Sequence, residues 1–299
     1  MRTMRAQAAA TVVDLFGEDQ RVAVVLAEIS RDLYGPAFRH DPSRAFNVGI
    51  MEPTMIGVAA GLAMEGFHPV AHTIAPFMAE RALEQIKLDL GNQEVGATLI
   101  AHGGSFDYAE EGTTHHSPGD VQAMLTIPGV EVLVPGHPDE TDRLLRATYA
   151  NGRVTYVRLA LATNPDARHV EPGRIEVIRR GEGPAVLAVG PMLERSLMAT
   201  AHLDPTVLYA TTVAPLDGDA LRSETRRTDT LFVVEPFYEG TLAGLVTAEL
   251  VRSIRLRSIG VPRKALRGYG SYEEHERVMG LDADGIRRRV DEALAAAAA

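Results

Sequence analysis

The chain alternates between two kinds of segment. Short apolar runs bounded by turn residues recur at 22–28, 45–51, 67–73, 97–102, 131–134 and 155–159, and each reads as a buried strand. Between them lie stretches with helical spacing of apolar positions, at 4–16, 53–64, 77–90, 121–126 and 139–150. Strands and helices taking turns in this way predict an α/β fold, a mostly parallel sheet covered by helices. Residues 31–44 are rich in Pro, His and Asp and read as irregular. Residues 103–120 form a long loop, dense in glycine and ionisable groups, of the kind that is often functional. A proline-containing stretch without periodicity, 161–173, reads as a linker. A second α/β unit follows, with strands at 185–189, 206–210, 230–234 and 258–261. Its helices run to about 201, over 240–252 and over 282–296, the last capped by Asp282. The expected organisation is one domain over 1–165, a linker at 166–175 and a second domain over 176–299.

The stretch AFNVGIMEPTMIGVAAGLAM, residues 45–64, organises the first unit. An apolar run leads to Glu52, Pro53 stands where a first helical residue is favoured, and Gly57, Ala59, Ala60, Gly61 and Ala63 make a small-residue helix able to pack closely on a sheet. One reading of Glu52 is a helix N-terminal acid stabilised by the helix dipole. The other is a carboxylic acid screened from water at the carboxyl end of a strand, where α/β sheets bind ligands, and suited to donating or sharing a proton.

Composition narrows the partners. Of 299 residues 45% are hydrophobic, enough for a core, and the formal net charge is −10 with no dense basic patch, so nucleic acid and anionic membrane are poor partners. The absence of cysteine excludes disulfides, thiolate metal sites and a cysteine nucleophile. No apolar stretch suffices to span a bilayer, and residues 1–17 read as an amphipathic helix rather than a signal peptide, so a cytoplasmic protein is expected.

Three constellations could carry chemistry. Glu110, Glu111, His115 and His116 in the long loop could shuttle protons near neutral pH, or form a solvated polar loop; their spacing does not favour a metal. Phe77 could be core or could stack on a flat heterocycle. His102 and Arg158 stand near strand ends, where arginine could grip phosphate or carboxylate or form an ordinary ion pair. There is no GxGxxG, P-loop or GxSxG motif.

The ordered series GIMEPTMIGVAAGLA, TIAPF and GTTHHSPGD, then TTVAPLD, VVEPFYEGTLAG and the ending SIGVPRKALRGYGSYEEHERVMGLDADGI, resembles the transketolase superfamily of thiamine-diphosphate enzymes over nearly the whole chain. The resemblance implies a pyrimidine-binding domain followed by a transketolase C-terminal domain. It implies that Glu52 hydrogen-bonds the aminopyrimidine of the cofactor, that Phe77 stacks on that ring, and that Glu28 falls on an aspartate near the cofactor. His115 would contact the donor sugar, Glu111 would replace an aspartate of the same motif, and His102 and Arg158 would hold a sugar phosphate. Pro53 and Thr113 depart from the family pattern. The family's diphosphate motif is missing here, which implies an N-terminal transketolase subunit as partner, holding the diphosphate with Mg2+ or Ca2+, in an α2β2 heterotetramer. The activity implied is transfer of a two-carbon ketol unit from a phosphorylated ketose to an aldehyde. Two other readings are the β subunit of a 2-oxo acid dehydrogenase and a non-catalytic scaffold partner.

Overall fold

The structure, a computed structural model, describes residues 2–265 and 267–298. The first half runs α1 (Met4–Glu18), β1 (Val22–Leu26), α2 (Gly35–His40), β2 (Ala45–Asn47), α3 (Glu52–Met64), β3 (His68–Ile74), then π-helical turns Phe77–Arg81 and Ile86–Gly91 around a single α turn, α4 (Leu83–Gln85). It continues through β4 (Ala97–His102), a 3-10 stretch Ala109–His115, α5 (Asp120–Met124), β5 (Glu131–Leu133), α6 (Pro138–Thr148) and β6 (Val154–Leu159). The second half holds β7 (Ile175–Arg179), β8 (Ala185–Val189), α7 (Leu193–Thr200), β9 (Thr206–Ala210), β10 (Thr212–Ala214), α8 (Gly218–Glu224), β11 (Thr230–Tyr238), α9 (Ala243–Glu249), β12 (Arg255–Val261), α10 (Tyr272–Met279) and α11 (Ala283–Ala298).

The first sheet has the order β10-β5-β6-β4-β3-β1-β2 and is parallel apart from β10. Its strands are buried on both faces, which is why they read as continuous apolar runs rather than as alternation. Val25, Ala71 and Leu99 pack towards α3 and the π-turn segment through Met55, Ile56, Met78 and Ile86. Val24, Val70 and Ile100 face the other way, onto α1 and α6 through Val12, Phe16, Leu144 and Leu145. The second sheet, β12-β11-β8-β9-β7, is parallel apart from β7.

The two sheets are stitched together. Strand β10, encoded in the second half, adds antiparallel to β5 at the edge of the first sheet. Beside it the fully buried Glu140 of α6 accepts hydrogen bonds from the backbone N–H of Gly136 (2.8 Å), the backbone N–H of Arg168 (2.9 Å) and the Tyr209 hydroxyl on β9 (2.7 Å). The segment between the halves has no helix or strand but is anchored, with Asn164 and Val170 buried.

Several expectations change. The strand expected at 45–51 ends at Asn47: Gly49 turns at φ +74°, and Ile50 and Met51 are 69% and 56% exposed, so Glu52 is reached through a short apolar surface segment. Residues 31–44 contain α2, started by Pro36 in its first turn. The helix expected at 77–90 is wound largely in π turns. The long loop contains 3-10 turns and is closed by the bridge between Ser105 and Ser117. Strands β7 and β10 and helices α8 and α10 go beyond the elements that the pattern predicts; β7 is an edge strand with only Ile175 buried, and β10 has three residues. Among the described residues no helix is long and apolar enough to cross a membrane.

Replacing Glu140 by alanine strands three buried donors, and we expect a loss of about 3 kcal/mol in equilibrium denaturation. Tyr209→Phe removes only one of the three bonds and should cost less than half as much.

Candidate active site

Glu52 opens α3, and its side chain has no solvent exposure. A carboxylate so enclosed needs partners. Its Oε2 accepts from Nη1 of Arg81 at 2.7 Å, and its Oε1 accepts from the hydroxyl of Thr73, on β3, at 3.4 Å. Arg81 lies four residues after Phe77 in the first π turn, and its guanidinium carbon stands 4.0 Å from the centroid of the Phe77 ring. Arg81 keeps 44% of its side-chain exposure, so this assembly sits at the surface with the acid beneath it. Phe77 meets the His115 ring edge-on, with centroids 5.3 Å apart. The structure therefore links Glu52, Phe77 and His115 into one chain of contacts through Arg81.

A second group continues from His115. Tyr108 contacts His115 and His102, at 5.9 Å in each case. His102, last residue of β4 and 4% exposed, stacks on His72 with centroids 4.9 Å apart and 15° between planes. The Ser30 hydroxyl accepts from Nε of Arg5 (2.9 Å) and lies 2.8 Å from Nε2 of His72. Burial, and then the charge of Arg5, push His72 down to about 3; burial, His72 and Arg5 hold His102 well below the usual range. Both rings are neutral at physiological pH. Among the described residues neither ring nitrogen of His102 meets a well-formed hydrogen-bond partner, the Thr73 backbone being the group that pulls against its downward shift.

Against this second group lies a cavity of about 290 Å3, lined by Arg5, His102, Asp107, Tyr108, Glu110 and Leu161 among others. Burial pushes the Asp107 carboxyl up to about 7, against the opposing pull of the Arg158 charge; its Oδ2 accepts from the Leu161 N–H at 2.7 Å. Arg5 carries no acid partner among the described ion pairs, so it is the cation that faces this space.

The other expected residues fall elsewhere. Arg158 is 1% exposed; its Nε donates to Asp120 Oδ2 at 2.8 Å and its Nη2 to the Ser105 hydroxyl at 2.7 Å. Its charge is answered inside the protein, and this placement replaces the phosphate grip expected of it with a buried ion pair. Glu28 is exposed and pairs with Asn47, donating its N–H (3.0 Å) and accepting from Nδ2 (2.7 Å). Glu111 is exposed at the rim of the loop. Among the described residues no group of three His, Cys, Asp or Glu side chains could hold a metal. Sequence reasoning missed Arg5, Arg81, Asp107 and Tyr108. The four-residue spacing of Phe77 and Arg81 was a visible signal; Arg5 offered none, because the groups it faces come from the ends of three separate strands.

This arrangement stands on a fold of two mostly parallel sheets covered by helices. The chain belongs to the transketolase family: residues 2–161 match the domain described as "Transketolase, pyrimidine binding domain". It is 42% identical over 281 residues to an uncharacterized 33.6 kDa protein in the fasciation locus of Rhodococcoides fascians, covering 92% of this chain and 90% of that protein. It is 28% identical to one of the subunits of apulose-4-phosphate transketolase from Actinobacillus succinogenes, covering 89% of each. It is 30% identical to 1-deoxy-D-xylulose-5-phosphate synthase of Chlorobium luteolum over 94% of this chain, but spans only 47% of that longer protein. A solved structure described as a split-gene transketolase, inactive β4 tetramer, is similar with a TM-score of 0.83 at 25% identity, covering 98% of both chains.

Neutral, buried histidines make folding pH-dependent. His72 binds its proton in the unfolded chain near pH 6.5 and in the folded chain only near 3, so its contribution is intact above about 6.5 and is lost as pH falls towards 3. A His72→Gln variant should show a shallower fall of melting temperature over that window than the parent. Equal slopes would show that the ring is not buried neutral.

Proposed function

We propose that this chain is the C-terminal catalytic subunit of a two-chain, thiamine-diphosphate-dependent transketolase-type transferase. It would move a two-carbon ketol unit from a phosphorylated ketose to an aldehyde acceptor. The observation that carries the reading is the fully buried Glu52 with Phe77 and His115 assembled beside it. We place the pyrimidine-binding domain at 1–165 and the transketolase C-terminal domain at 176–299, joined by 166–175.

The residues present fit one end of the cofactor. Glu52 offers a carboxylate enclosed by protein, able to bond a ring nitrogen and hold or share its proton. Phe77 offers a flat apolar face. When bound, thiamine diphosphate supplies the carbon nucleophile of ketol transfer. His115, at the edge of Phe77, would face the donor sugar, with Glu111 at the rim and Glu28 farther out. His102 would act as a neutral hydrogen-bonding group, and Arg5 would supply the positive charge that a sugar phosphate requires. An N-terminal transketolase subunit would hold the diphosphate with Mg2+ or Ca2+, in an α2β2 assembly. The exposed Ile50 and Met51 leading to Glu52 support a covering partner at this face. The description of the split-gene relative as an inactive β4 tetramer supports the need for one. A cytoplasmic location goes with work on phosphorylated sugars.

Calorimetric titration of thiamine diphosphate and Mg2+ tests the assignment. We expect no binding to this chain alone and binding in the mixture with the diphosphate-binding subunit; tight binding to the lone chain would refute the split site. Glu52→Ala should abolish turnover while leaving assembly intact, and normal turnover would remove the central claim.

Arg5→Ala should raise KM for phosphorylated donors by about 10- to 100-fold, the loss of a charged hydrogen bond, and leave unphosphorylated ones nearly unchanged. An equal effect on both would assign Arg5 to structure alone.

A further inference from the structure

Two adjacent histidines leave the long loop in opposite directions. His115 turns its ring to Phe77 and Tyr108. His116 turns inward, 6% exposed, and meets His275 of α10 edge-on at 5.4 Å. His275 in turn stacks on Phe106, at the start of the same loop, with centroids 5.9 Å apart and 24° between planes. The loop thus closes on His275 from both of its ends.

The middle of the loop is held differently. Gly112 has φ 71° and ψ −161°, a conformation open to glycine and not to residues with a Cβ. A Cβ placed there would come within 2.7 Å of Cε1 of Tyr269, so the tyrosine ring lies directly against the glycine backbone. Tyr269 is 79% exposed. A ring left so open gains little from burial, so core packing does not account for its position.

The flanks of the loop are also tied to the second half of the chain. The Ser105 hydroxyl donates to the Pro236 carbonyl, the Tyr238 N–H donates to the Pro118 carbonyl at 2.8 Å, and Arg263 Nη1 donates to Gln122 Oε1 at 2.9 Å. The segment that carries His115 is therefore built in the first domain and shaped by the second.

We propose that Tyr269 and His275 are positioning residues that fix Gly112 and His116, and through them aim His115 at Phe77. Tyr269 acts by pressing on Gly112, one of the residues whose positive φ turns the loop. His275 acts by holding the neighbour of His115, so that the peptide between the two histidines cannot rotate. Neither residue needs to touch a substrate. The functional meaning of this arrangement rests on the reading of His115 as substrate-facing, but the positioning itself is a property of the chain and can be measured on it.

The test uses the full chain and compares the parent with Tyr269→Ala, Tyr269→Phe, His275→Ala and His275→Phe. Amide hydrogen exchange is followed by mass spectrometry, and the His115 ring signals by NMR, where the Phe77 ring current marks its present orientation. For Tyr269→Ala we expect exchange across 110–116 to accelerate by about tenfold while the rest of the chain keeps its protection. The melting temperature should stay within about 2 °C of the parent. The His115 signals should move towards random-coil positions. Tyr269→Phe should restore parental values, because the contact needs the ring and not the hydroxyl. His275→Ala should loosen the same segment, and His275→Phe should keep it. Unchanged exchange and an unchanged His115 signal in Tyr269→Ala would overturn the proposal. Faster exchange spread over both sheets would overturn it too, since it would assign Tyr269 to global stability. If the segment loosens as expected while His115→Ala leaves turnover unaffected in the assembled enzyme, the positioning stands and the substrate role of His115 falls.

Discussion

A carboxylate with no access to water has to be paired, and the pairing of Glu52 with Arg81 is the constraint around which this end of the first sheet is arranged. Three features must agree for it to form. The small residues of α3 let that helix lie close enough on the sheet to bury its first residue, with Ala59 and Ala60 almost fully enclosed. Strand β3 must end where Thr73 can donate to the acid. The following segment must then place Arg81 over Phe77, which it does by winding in π turns. Such turns often mark functional sites, and here the unusual winding keeps an aromatic face and a cation on the same side as the acid. The arginine answers the buried charge from the solvent side, where a ligand would also have to arrive.

A second ion pair sets the boundary of the site. Arg158 and Asp120 are both almost fully buried, and the Tyr156 hydroxyl adds a bond to the same carboxylate at 3.0 Å. Burying two charges brings little net stability, but removing either one would leave the other stranded. Through Ser105 the pair reaches the backbone of β11 in the second half of the chain. It therefore ties the two sheets together, and it holds both ends of the loop whose middle carries His115.

Much of this was legible in the order of residues, for identifiable reasons. Buried parallel strands are written as continuous apolar runs, so β1, β4, β6, β8 and β9 could be placed closely. Glu52 stood out as a lone acid between apolar neighbours, and Phe77 and His115 through their motifs. What could not be read depends on long-range partners. The end of β2 is set by the turn at Gly49, although the apolar pattern runs on through Ile50 and Met51, because an exposed apolar residue looks the same in sequence as one in a core. Strand β10 is three residues long and exists because β5 offers it an edge. The fate of Arg158 depends on Asp120, 38 positions away, which converts a plausible anion grip into internal structure.

On the proposed function, the stacked histidines would form part of an anion site built largely from groups that are not charged. Were His102 an imidazolium, it would lie 4.9 Å from a second ring and close to Arg5, with burial opposing all that charge. Keeping both rings neutral leaves Arg5 as the cation lining that cavity among the described residues, and Ser30 ties its orientation to His72. A phosphate entering the cavity would then meet one fixed positive charge and one neutral imidazole rather than a cluster of competing cations. The arrangement costs less to maintain when empty than a set of unpaired charges would, because only one charge has to remain without a counter-ion. It also leaves Asp107 as the group across the cavity whose ionisation falls near neutrality. A neutral Asp107 offers a hydrogen bond to an anion and an ionised one repels it, so the affinity of this cavity for phosphorylated ligands should weaken as pH rises through about 7.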